Sequence, residues 1–288
     1  MELLRALATL VEPPTVAHRA IVNAVGLPVA PSVDDHTDVM VFQAYPYASV
    51  YLGAEGMMGG DARDRIAGFW RTLGAEPSAE PDHLVALFGG VAALADAAGQ
   101  ASAPRAAAGL HAARHALFWE HVASWMPPYL SLLRRVGGDF YGAWAELAEA
   151  TLAAEADALG GPVAPSAHLR AAPPLGEPGG LDELIGWLLA PVRMGFTIAR
   201  DDLVRAAEEL GTGCRVGERR YVLRSLFAHD APGVLTWFAA EARRQATELE
   251  RVALPPVSAW WATRARTTAA VLEGWATPVD VGVGAACG

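Results

Sequence analysis

A chain of 288 residues is long for one compact unit and short for two average domains, and its 52% hydrophobic content supplies ample material for a core. Mean hydropathy is +0.22, yet the longest apolar run, residues 84–95, contains a glycine pair and stops at Asp96, too short to cross a bilayer. A net charge of −10 argues against nucleic acid or an anionic membrane as the partner.

In chain order, the first segment, Met1 to Pro14, places Glu2 and Glu12 around a brief apolar stretch and lacks the basic start of a secretory signal, so the protein is expected to stay in the cytoplasm. Apolar residues recur at helical spacing over 62–73. Pro81 suits the first turn of the next helix, which continues through Leu87-Phe88-Gly89-Gly90; those glycines predict a kink or a close packing contact. Pro127-Pro128 interrupt the helical run that begins at Arg105, and Gly137-Gly138-Asp139 end one helix and begin another. In that last helix Phe140, Trp144, Leu147, Thr151 and Leu152 share a face. Residues 160–180 are rich in Pro and Gly, lack periodicity and read as a linker. Beyond it, residues 181–189, 201–210, 217–228, 232–251 and 256–275 are predicted helical. With no strand alternation anywhere, the expected fold class is all-α: a compact helical bundle over 1–159, a linker over 160–180, and an appended C-terminal helical subdomain over 181–288.

Charge is uneven along the chain. Residues 1–160 hold 18 Asp/Glu against 9 Arg, and residues 161–288 hold 14 against 13. The acidity belongs to the first part, where it would steer a basic ligand inward. All 22 basic residues are arginine, which rules out a Walker-type loop. Cys214 and Cys287 lie far apart without CxxC partners, so neither a disulfide framework nor a cysteine zinc site is expected. Gly211-Thr212-Gly213 lacks dinucleotide-loop spacing, and no Gly-x-Ser-x-Gly elbow occurs. The doublets Arg134-Arg135, Arg219-Arg220 and Arg243-Arg244 are internal and read as solvated helix faces.

Two blocks carry more specific information. Tyr45-Pro46-Tyr47-Ala48-Ser49-Val50-Tyr51 leads into Glu55-Gly56-Met57-Met58-Gly59, and Glu80-Pro81-Asp82-His83-Leu84 follows. Phe118-Trp119-Glu120-His121-Val122-Ala123-Ser124-Trp125-Met126-Pro127 comes later. On residues alone, the tyrosines suit either a core or an apolar groove. Asp82 reads as a favourable charge at a helix start, whereas an imidazolium at His83 would oppose the helix dipole. In order and spacing these blocks resemble the TorD/DmsD/NarJ family of cytoplasmic chaperones for molybdenum-containing redox enzymes, over residues from about 30 to 158. That resemblance implies a protein without catalytic activity or cofactor. Its partner would be the precursor of a molybdenum-containing oxidoreductase, bound through a twin-arginine or similar signal peptide before cofactor insertion and export. The client-binding residues it implies are Tyr45, Tyr47, Tyr51, Glu80, Pro81, Asp82, His83, His121 and Trp125. It implies a monomer or homodimer, with no membrane insertion and no nucleic acid.

Two other functional classes compete. His111 and His115, four apart on one helix face, with Glu120 or His121 as a third group, could serve an all-α metal-dependent or small-molecule enzyme. His111 and His115 have no neighbouring carboxylate at motif spacing, and the resemblance implies no metal here. A helical regulatory or assembly module is the remaining alternative.

Overall fold

In the computed structural model, residues 1–28, 30–213 and 217–277 are described; Cys214 and Cys287, and the expectation attached to them, lie outside these residues. The described residues are all-α, with no strand among them. No described helix is long and apolar enough to cross a membrane.

The first part begins with α1 (Glu2–Thr9), α2 (Val16–Val25), α3 (Val33–His36) and a π-helical stretch, Thr37–Gln43. Then come α4 (Ala48–Leu52), α5 (Gly60–Thr72), α6 (Leu84–Gln100) and α7 (Pro104–Ala116), which runs into a second π-helical stretch, Leu117–Val122. α8 (Met126–Val136) and α9 (Gly138–Leu159) complete it. Pro127 and Pro128 stand in the first turn of α8, where their missing N–H groups cost nothing. Along α9 the buried residues Trp144, Ala148, Leu152 and Ala156 recur every fourth position, which lays that helix against α8 and α1. The indole Nε1 of Trp144 donates to Leu7 O at 3.1 Å, so the N-terminal helix is pinned to this face by a buried hydrogen bond. The glycine pair in α6 resolves as close packing: a Cβ on Gly90 would stand 2.6 Å from the Trp70 ring.

The second part consists of α10 (Ala167–Ala171), α11 (Leu181–Leu188), α12 (Pro191–Met194), α13 (Arg200–Glu209), α14 (Arg219–Leu249) and α15 (Val257–Ala276). The expected break between residues 228 and 232 appears as a bend inside α14, where Asp230 leaves helical geometry and accepts a hydrogen bond from Gly233 N at 2.9 Å. Pro232 can then stand in what is locally a first turn.

One buried apolar cluster runs from Leu4 to Leu272 and includes both parts. Polar contacts fasten them as well. Trp261 Nε1 donates to Ser124 O at 2.9 Å, and Arg135 in α8 meets Asp202 in α13 at 3.2 Å. Buried Asp202 and Glu241 share Arg205, and Glu241 also pairs with the exposed Arg244. Burial alone would raise the Glu241 pKa, but hydrogen bonds from Arg244 and Gln245 carry it below the ordinary carboxylate value. Residues 160–180 lie along this junction: Leu169 and Leu175 are buried, Gly160 O accepts from Trp119 Nε1, and Ala172 O accepts from Arg264.

Gly195, which follows α12, has φ +80, and a Cβ there would stand 2.2 Å from Ala265 N in α15. Gly195→Ala is therefore expected to destabilise the protein by about 1–3 kcal/mol, because both the left-handed backbone and the helix contact are lost. A denaturant midpoint within error of wild type would contradict that packing.

Candidate functional site

The two motif blocks meet in one compact structure between α4 and α6. Leu84 N donates to Pro46 O at 2.8 Å and Ala48 N to Asp82 O at 2.9 Å, forming an isolated antiparallel bridge between Tyr47 and His83. Their rings meet edge to face at 4.7 Å. α6 starts at Leu84 instead of at Pro81, so Pro81 lies outside the first turn and is buried. His83 is the N-cap: its Nδ1 accepts from Val85 N at 3.3 Å, which places any neutral-ring proton on Nε2. This removes the expected conflict with the helix dipole, since the capping ring is an acceptor and burial pushes its pKa down against the pull of Glu80, Glu12 and Asp82.

Asp82 also differs from its sequence reading. It is 2% exposed and makes no solvent-facing helix-start charge; its carboxylate accepts from Ser49 Oγ at 2.5 Å. Ser49 Oγ in turn accepts from Gly59 N at 3.0 Å. A chain of hydrogen bonds thus runs from the second motif block, through α4, to the loop that follows the first block. Ser49, present in the motif but given no role there, is the link. Tyr47 and His83 are half-buried and Glu80 is exposed, so these three form the open side of the structure. Burial, and then a hydrogen bond to Glu80, push the Tyr47 hydroxyl up to about 12. The hydroxyl remains a neutral donor throughout the physiological range.

Asp82→Ala removes the carboxylate that holds Ser49, and is expected to cost about 1–3 kcal/mol of stability, with Asp82→Asn milder because an amide oxygen can still accept. Equal denaturant midpoints for Asp82→Ala and wild type would rule out this internal role.

Beyond Ser49 the loop 53–59 borders a cavity of about 570 Å³. One wall consists of Leu52, Glu55, Met57, Met58, Asp61 and Arg65; the other consists of His168, residues 171–173 and Val192. The loop is held from the C-terminal side: Arg193 Nε donates to Ala54 O at 2.9 Å, and Gly56, at φ +64, lies so near that a Cβ would stand 2.4 Å from Leu189 O.

Several expected client-contacting residues face elsewhere. Tyr51 and Trp125 are 1% and 0% exposed. They stack with ring centroids 5.2 Å apart, and Tyr129 packs against both. Burial raises the Tyr51 pKa strongly. These rings belong to the core, a correction to their expected place in a groove. Tyr45 is half-buried beside Leu188, Phe196 and Arg219 of the second part. His121 is 6% exposed, with its ring 5.5 Å from Phe69 and parallel to His168 at 6.5 Å. Of the nine expected residues, the structure brings Tyr47, Glu80, Pro81, Asp82 and His83 together and leaves Tyr45, Tyr51, His121 and Trp125 outside that group.

Residues 34–131 match the family model described as nitrate reductase delta subunit. The matched stretch contains the Tyr47–His83 bridge, the Ser49 link and the loop 53–59. That match supports the resemblance of this region to the TorD/DmsD/NarJ family. No curated protein and no solved structure matches it. The family is one of molybdoenzyme maturation chaperones and is not catalytic.

The match includes His111, His115, His121 and Glu120 without drawing them together. His111 and Glu120 are exposed, and among the described residues no group of three or more His, Cys, Asp or Glu is placed to hold a metal ion. Purified protein is expected to contain no stoichiometric zinc, iron or manganese by elemental analysis; about one metal per chain, lost on replacing His111 and His115 with Ala, would overturn this.

His121 and His168 instead carry a pH dependence. Burial, with Arg65 nearby, depresses His121 to about 4, and burial, Arg65 and His121 depress His168 to about 3. Because the unfolded rings would titrate near 6.5, the unfolded chain binds more protons below that pH. Stability is expected to be complete above roughly pH 6.5 and to fall as pH drops toward about 4. Thermal melts from pH 7.5 to 4.5 on wild type and His121→Gln test this: the variant is expected to show the shallower slope, and a steeper one would contradict the assignment.

Proposed function

We propose that this protein is a cytoplasmic chaperone that holds the precursor of a molybdenum-containing oxidoreductase through its signal peptide, before cofactor insertion and export. The observation that carries this reading is the family match over residues 34–131, which includes both motif blocks. The open side of Tyr47, Glu80 and His83 suits such a ligand chemically. The exposed Glu80 carboxylate and the neutral Tyr47 phenol oxygen can accept from arginine guanidinium groups, while the ring faces of Tyr47 and His83 offer apolar area and a surface for a cation. Residues 1–159 carry the client surface in this reading, and the helices after residue 180 brace it. Binding requires no covalent step, and the client remains accessible for loading.

Affinity capture with the full chain as bait, in cells of its source and with mass spectrometric identification, tests the reading. A molybdopterin-dependent oxidoreductase subunit is expected to be enriched with wild type and depleted with the triple variant Tyr47→Ala, Glu80→Gln, His83→Ala. Equal recovery by wild type and variant, or no such subunit with either, would refute it.

A further inference from the structure

The cavity beside loop 53–59 has features that the chaperone reading does not yet use. Met57 and Met58 are 56% and 58% exposed, which is unusual for adjacent large apolar side chains, and both line the cavity with Leu52, Val192 and Pro173. Methionine side chains adapt to irregular apolar ligands, so such a lining accepts a range of sequences. Two carboxylates stand in the same wall. Glu55 makes no ion pair among the described residues, while Asp61 acts electrostatically on Arg65 one turn along α5. His168 lines the cavity as a neutral ring, so the acidic groups outnumber the single cation. A free carboxylate beside exposed methionines matches a segment in which a basic residue adjoins an apolar stretch.

The geometry points to this cavity as the seat of the apolar stretch of the client's signal segment, with Glu55 and Asp61 receiving an adjacent arginine and the C-terminal part of the chain completing the site. The inference rests on the chaperone reading and extends it to a second contact region. Each wall comes from a different part of the chain: residues 52–65 from the matched family region, and residues 168–173 with Val192 from beyond it. The walls are fixed relative to each other by the Arg193 bond to Ala54 O and by the contact of Gly56 with Leu189. At the other end of the loop, Gly59 is tied through Ser49 to buried Asp82. Asp82 is thereby a positioning residue. It sets the rim of the cavity without touching the ligand, and motif and cavity become one binding unit.

The test uses the full chain and a synthetic peptide in which an Arg-Arg pair precedes a Leu/Ala stretch carrying a benzophenone. Photo-crosslinks are expected at residues 52–62 and 168–173, and the double variant Met57→Asp, Met58→Asp is expected to weaken peptide binding by about tenfold or more while keeping its melting temperature. Glu55→Gln is expected to reduce the salt dependence of binding. A peptide that binds wild type, responds to Tyr47 and His83 variants, and neither crosslinks to the cavity nor responds to the methionine variant would overturn this inference and leave the chaperone reading standing. No binding to wild type by any such peptide would overturn both.

Discussion

Trp125→Ala is expected to lower the free energy of unfolding by about 3–5 kcal/mol, the cost typical of deleting a large aromatic side chain from a packed interior. The side chain has no exposed surface and stacks on Tyr51 and Tyr129; its Nε1 donates to His121 O at 2.9 Å. Removing it leaves a cavity among rings that also pack toward Trp144. Equilibrium urea denaturation gives the effect as a shift in midpoint at unchanged slope. A loss below about 1 kcal/mol, the range of surface changes, would mean that Trp125 is not a core residue and would restore its expected place in a client groove.

Ending the chain after Leu159 is expected to have a still larger effect: an aggregating or largely unfolded product. The buried faces of α4 and α8 pack against helices that this truncation removes, through contacts of α12 with α4 and of α14 and α15 with α8. Trp261 would no longer meet Ser124, and Arg135, whose side chain is 12% exposed, would lose Asp202. The apolar faces of α4 and α8 would be left in water at a cost of roughly 25 cal/mol per Å², against a total stability of only about 5–15 kcal/mol for typical domains. Expression of residues 1–159 with circular dichroism and a thermal melt checks this. A soluble fragment that melts cooperatively near the full-chain temperature would show that the first part is autonomous, with the C-terminal helices as a detachable accessory.

Helical periodicity made most of the fold legible, because its signal is local. The pattern Phe140, Trp144, Leu147 and Leu152 marked α9, and the Pro-Pro and Gly-Gly steps marked the ends of α8. Segments that gave no such signal were α1 to α3 and the first π-helical stretch, Thr37–Gln43, where short length or widened turns blur the period; the second, Leu117–Val122, read only as part of the helical run from Arg105. At the site, the motif letters located the right residues and assigned some of them the wrong environment. Asp82 and His83 are adjacent in sequence, yet one is an internal acceptor and the other a half-open cap. That division depends on Ser49 and on the pairing of Tyr47 with His83, tertiary relations that no spacing reveals. Tyr45 and Tyr47 precede α4 while Tyr51 lies within it, and Tyr47 is the one that adjoins Glu80. The Pro/Gly-rich run over 160–180 looked unstructured because it lacks periodicity; its two leucines, Leu169 and Leu175, dock it through isolated contacts that leave no periodic trace.

The chaperone reading depends most directly on whether the chain recognises a signal segment as such. Isothermal titration of full-length protein with three peptides, one with an arginine pair followed by an apolar stretch, one with the pair replaced by glutamine, and one with the stretch replaced by serine, measures this. The account predicts saturable binding of the first that weakens as salt is raised, and weaker binding of each of the other two. Equal affinity for all three, or no heat with any of them at concentrations where the chain remains folded, would contradict it.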